Sequence, residues 1–146
     1  MDKLQNFFLA MDKKQKIALA GALVLVLAIL IFLANPAKRF MERRNSQRRS
    51  DAFNLLTAIY DYANENKDIV DKIGVEPKEI CALKSDCGDL LDISDLVMKK
   101  FIDAIPSDPK KHTQKGTGYM ISKNANGRMT VLAPGAEGGV KITATR

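Results

Sequence analysis

Few side chains in this sequence are of types that carry out chemistry. The stretch EICALKSDCGDL holds both cysteines, Cys81 and Cys87, with five residues between them, and the chain has a single histidine, His112. Structural zinc wants four Cys or His ligands, whereas these three are too few and lie apart in sequence. A thioredoxin-like redox pair uses two intervening residues, so a gap of five fits it poorly. Two readings stay open. A Cys81–Cys87 disulfide would close a small ring, stabilise the fold by about 2 kcal/mol, and persist only in an oxidising compartment. The alternative is two unbonded buried thiols. Ser107, Asp108 and His112 fall close together in IPSDPKKHTQ. Neighbours within one loop do not make a nucleophile, base and orienter, so SDP reads as a turn and His112 as solvated. No enzyme activity, metal or cofactor is expected.

The elements that position these residues start with an apolar run. Residues 17–34, IALAGALVLVLAILIFLA, carry no charged or polar side chain. As a helix the run is about 27 Å long, which just spans a bilayer. A cleaved secretory signal is the rival, with ANPA as its cleavage site, but the run exceeds a usual signal core and a basic stop-transfer flank follows it. A retained membrane anchor is expected, with Ile17, Gly21, Leu25, Ala28 and Phe32 among its lipid-facing or helix-contacting positions. Small residues such as Gly21 and Ala28 permit close helix contacts in lipid. Ahead of the run, residues 1–16 space Leu4, Phe7, Phe8 and Met11 as a short amphipathic basic segment. Behind it, Pro36 is placed to kink or restart the helix.

Charge is unevenly distributed. Residues 1–50 hold ten Lys or Arg against three acids, and residues 51–146 hold thirteen against fourteen. The chain's net +6 therefore comes from the membrane flanks, where Arg43, Arg44, Arg48 and Arg49 would meet anionic headgroups. The rest of the chain shows no basic excess, and no nucleic acid is expected as its partner. Simple counting of flanking charges puts the C-terminal side in the cytoplasm, whereas a disulfide would need it outside. From the residues alone, orientation stays open.

A helix is expected over 35–66, whose stripe of Phe53, Leu56, Ile59, Tyr60 and Ala63 reads as the helix–sheet core. The remainder, 67–146, reads as a globular head. Gly74 and Pro77 mark turns, and the cysteine loop follows them. A short helix is expected over 93–105, capped by Asp92 or Ser94 and stopped by Pro106. GYMISK and RMTVLA read as a hairpin turning at Asn126-Gly127, and residues 140–145 as a third strand. Helix plus antiparallel sheet makes an α+β fold.

Several strings carry a resemblance: RRNSQRRSDAFNLLTAIYDYANEN, ICALKSDCGDLLDISDLV, FIDAIPSDPKK, GTGYMISKNANGRMTVLAP and the ending AEGGVKI. Across about residues 40–142 the chain resembles type IV pilin-like proteins, including the major pseudopilin of type II secretion systems. That resemblance implies a pilin-like fold, a single-pass anchor in the cytoplasmic (inner) membrane, an outward C-terminal domain with the cysteines oxidised, and possible export in an extracellular filament. It implies as partners other copies or other pilin-like subunits, membrane lipids and the assembly platform of the filament system. The family pattern also has a leader ending in glycine and a glutamate early in the apolar helix, whereas here no acid lies between Asp12 and Glu42. This departure leaves a second function in view: a non-polymerising membrane protein whose outer domain binds a partner or an envelope component. Some family members bind calcium in the C-terminal loop. Here that loop, APGAEGGVKI, offers Glu137 as its only carboxylate, and one acid makes a weak calcium site.

Overall fold

The computed structural model describes residues 11–66, 68–82 and 86–146, so most of the expected amphipathic segment 1–16 lies outside the described residues. The chain divides into two compact units, the division falling after Phe40.

Helix α1 (Lys13–Ala34) begins where Asp12 closes a capping box. The Lys13 N–H donates to Asp12 Oδ1 at 2.7 Å, and the Asp12 N–H donates to Gln15 Oε1 at 3.0 Å. Reciprocal bonds of this kind satisfy donors that a helix start leaves open. From Ile17 to Leu33 the side chains of α1 are exposed, Phe32 at 83%, and a Cβ built on Gly21 would meet nothing. Ile17, Leu25 and Ala28 are exposed in the same way. The helical run is long and apolar enough to cross a membrane.

Asn35 ends α1 with φ 39° and ψ 65°, in the left-handed region that Asn tolerates. Its N–H donates to the Phe32 carbonyl, and its Oδ1 accepts from the Lys38 N–H at 3.2 Å. One residue thus caps both the helix before it and helix α2 (Pro36–Glu65) after it. Pro36 restarts a helix here, at a first position where its missing N–H costs nothing.

Within the second unit, the part of α2 from Met41 onward buries Ala52, Leu55, Leu56, Ile59 and Tyr62, a spacing that keeps one face inward. Helix α3 (Asp68–Lys72) is a short addition, from which Ile69 joins the core together with Ile73 just beyond it. Four strands follow: β1 (Lys78–Cys81), β2 (Gly116–Lys123), β3 (Met129–Leu132) and β4 (Thr143–Thr145), paired antiparallel in sequence order. Period-two alternation buries Thr117, Tyr119 and Ile121 on β2 and Met129 and Val131 on β3, with Ile121 opposite Val131. These side chains and the α2 stripe form one core, so the fold is α+β, a helix face covering a small sheet.

The structure corrects several expectations. Phe53 is 64% exposed and lies outside the core, whereas Leu56 and Ile59 are buried and Tyr60 and Ala63 pack partly buried against it. Each helical step turns about 100°, and Leu55, Ile59 and Tyr62 lie to one side of Ala52, so the step to Phe53 on the other side carries it off the inward face. The helix expected over 93–105 is only α4 (Asp95–Met98). Lys100 takes φ 62° behind it, and the N–H groups of Phe101 and Ile102 both return to the Leu96 carbonyl, which closes the turn. The hairpin loop is five residues, 124–128, and of the Asn126-Gly127 pair only Gly127 has positive φ, at 78°. The third strand expected over 140–145 is shortened to β4.

The cysteine segment was expected as a loop, yet Cys81 belongs to β1, at the sheet edge. The Cys81–Cys87 disulfide is formed, with Cα atoms 5.4 Å apart. Chain returning from it pairs with the same strand: the Cys81 N–H donates to the Leu91 carbonyl and the Leu91 N–H to the Glu79 carbonyl, both at 2.9 Å. The bond therefore ties an edge strand to the segment that covers it.

Candidate functional site

The most concentrated chemistry in the head is a cluster of charges joining α2 to two distant loops. Arg48 lies in phase with the apolar stripe, one turn before Ala52, so its side chain is carried inward and is fully buried. A buried guanidinium needs partners for its donors. Arg48 Nε donates to Asp108 Oδ2 at 2.7 Å and Nη2 to Asp108 Oδ1 at 3.0 Å, a two-pronged pair in which both side chains are inaccessible to water. Nη1 donates to Asn45 Oδ1 at 3.0 Å and to Glu137 Oε1 at 3.1 Å.

Asp108 is the acid of the SDP turn. Its Oδ1 also accepts from the Lys110 and Lys111 N–H groups at 2.8 Å each, which folds the turn around the carboxylate. Its own N–H donates to the Thr117 carbonyl at 2.8 Å, fixing the turn to β2. His112 is solvent-exposed and sets Nδ1 2.6 Å from the Asp108 carbonyl. The site depends on two glycines. A Cβ on Gly118, where φ is 79°, would stand 2.8 Å from Asp108 Cβ, and one on Gly135 would collide with the Asp108 carboxylate.

Glu137, in the loop between β3 and β4, completes the cluster. Arg44 grips it with Nε and Nη2, each 2.6 Å from one carboxylate oxygen, and Lys110 Nζ lies 3.2 Å away. Asn45 binds the same residue's backbone twice, its Nδ2 donating to the Glu137 carbonyl at 2.9 Å and its Oδ1 accepting the Glu137 N–H at 3.0 Å. The loop is thereby held against α2 by side chain and main chain together.

Electrostatics follow this geometry. Burial pushes the Asp108 carboxyl up, but the Arg48 guanidinium and the Lys110 and Lys111 amides outweigh it and hold the group below the usual carboxylate range. The Arg44 bond, with Arg48 and Lys110 behind it, holds Glu137 far below that range. Arg48 and Arg44 are raised in turn by Asp108 and Glu137. Burial lifts Tyr119 well above its ordinary value, helped by the bond its hydroxyl donates to Asp51 Oδ2 at 2.7 Å. Among the described residues every buried side-chain nitrogen or oxygen has a partner, and no three His, Cys, Asp or Glu side chains converge as a metal would require. Glu137, the one carboxylate of the C-terminal loop, has both oxygens engaged by cationic side chains.

Such a cluster fastens α2 to two loops, and its carboxylates are held in their ionised form by the arginines. Sequence reasoning missed it because the arginines were read together as a membrane flank. The signal was present: Arg48 shares the helical phase of Ala52, Leu55 and Ile59, and a cation on an inward face calls for a buried acid.

Fold and site define an α+β domain of helix on sheet, in a chain that also carries a strongly apolar helix. Comparison with protein-family models, with curated proteins and with solved structures finds no match for this chain in any of the three.

Proposed function

We propose that the chain is a membrane-anchored, pilin-like structural subunit or accessory component of a type IV pilus or type II secretion pseudopilus, assembling through its N-terminal helix. The observation that carries this reading is a combination: an apolar helix followed by an amphipathic one whose inward face covers a small antiparallel sheet, with a disulfide at the sheet edge. The local strings from residue 40 to 142 supply the family resemblance. In this reading the chain catalyses nothing. Its α1 side chains meet lipid or the α1 helices of other subunits, and the outward head is kept rigid by its core, its ion-pair cluster and its disulfide.

Shearing intact cells and separating filaments from membranes tests the reading. Recovery of the full chain in the sheared filament fraction, dependent on the filament's assembly platform, is the expected result. Recovery only in membranes would remove the subunit role.

One observation favours a second reading. From Lys13 to Met41 the chain has no carboxylate, where the pilin-like pattern has a glutamate early in the apolar helix. A non-polymerising membrane protein with an outward partner-binding head would stay in membranes in the same experiment.

A further inference from the structure

The outer face of α2 carries opposite charges at its two ends. Arg43 and Asp61 are both exposed and make no ion pair among the described residues. They stand eighteen residues apart, which in an α-helix is five whole turns and about 27 Å, so both point in one direction. Ser50, Asn54 and Thr57 continue the same row between them. That direction is opposite to the face bearing Arg48, Ala52, Leu55 and Ile59. The row is therefore a free face, basic at its start and acidic at its end.

The acidic end lies in a groove. An open hollow of about 550 Å³ runs along α2 and is walled on its far side by residues 100–106. Asp51, Asp61 and Asp103 line it against one ammonium, Lys100, and the exposed ring of Phe53 gives it an apolar part. Asp51 is already bonded to Tyr119, which leaves Asp61 and Asp103 to face solvent.

We propose that this groove docks Arg43, at the basic start of this row, from a second copy of this chain. The inference rests on the assembly reading above and adds to it a contact outside the membrane. Charge complementarity within one row selects the occupant. Like ends repel, and a copy displaced by about five turns brings guanidinium to carboxylate. In a filament of the kind proposed above the copies share one polarity and are staggered along its axis, so the contact is head-to-tail and each copy keeps a free basic end and a free groove for the next. Phe53 is covered as the groove fills.

Charge reversal of the full chain in detergent micelles tests this, with self-association followed by sedimentation at low and high salt. Arg43→Glu alone and Asp61→Arg alone are each expected to weaken association about ten-fold at low salt, and the double variant to restore it to near wild type. High salt should weaken the wild type towards the single variants. All these positions are exposed, so a formed Cys81–Cys87 disulfide and an unchanged thermal transition report that the variants are folded. Single variants associating like wild type, or a double variant no better than either single, would overturn the groove contact while leaving assembly through α1 standing. A wild-type chain that stays monomeric at every concentration would overturn the contact and the subunit reading together.

Discussion

Helices α1 and α2 follow one another with only Asn35 between them, yet different requirements specify them. Helix α1 is apolar on every side from Ile17 onward and its described side chains there are exposed, so its composition alone states what it needs, a surrounding that is not water. Helix α2 is polar overall, and its inward face meets a sheet, a buried ion pair and a loop. Substitutions in α1 should therefore change where the chain resides, and substitutions in α2 whether the head folds.

The largest expected effect is at Arg48. Arg48→Ala strands Asp108 as an uncompensated buried charge and should cost the head about 3–5 kcal/mol, read from denaturant or thermal unfolding of the full chain. The same truncation at Arg43, an exposed neighbour in the same basic run, should stay within about 0.5 kcal/mol. Acid sharpens the contrast. The folded state holds Asp108 below its ordinary range, so the pair's contribution is whole above about pH 4 and drains away as pH falls below it. A pH titration of the wild-type melting temperature should show that loss, and Arg48→Ala should show less of it.

Next in size is a charge in α1. Leu25→Lys should disfavour membrane insertion by about 3 kcal/mol and shift the chain towards the soluble fraction, while leaving the thermal transition of the head unchanged. Cys87→Ser should cost the head about 2 kcal/mol through lost ring closure, with no effect on partitioning. The smallest effect belongs to Phe53, where alanine should change stability by less than about 0.5 kcal/mol, whereas Ile59→Ala on the inward face should cost about 2–5 kcal/mol.

Legibility of the molecule tracked how local each cause was. The apolar span, the α2 stripe at Leu56 and Ile59, and the hairpin strands were readable because hydropathy period and turn residues act over a few positions. Strand β1 was hidden, since KEIC is four residues long and is defined by a partner strand about forty residues away, Lys78 facing Ile121 and Cys81 facing Gly116. Phe53 was misplaced because a broad apolar stripe does not mark its own edge: Leu55 and Leu56 are both buried, whereas Phe53, beyond Ala52, is not, and only the sheet decides where the inward face ends. The ion-pair cluster was the hardest to see. It joins residues 44–48 to 108 and 137, and a run of arginines does not announce that Arg48 is buried while Arg43 is not. The signal lay in helical phase, which Arg48 shares with Ala52, Leu55 and Ile59 and Arg43 does not.

The central claim, an anchored chain with an outward, oxidised head, is tested most directly at Cys81 and Cys87 in intact cells. If the head faces outward as proposed, a membrane-impermeant thiol reagent should label the chain only after reduction, because Cys81 and Cys87 are joined by a disulfide. Labelling that needs the membrane opened, and no reductant, would place the head inside and contradict the account.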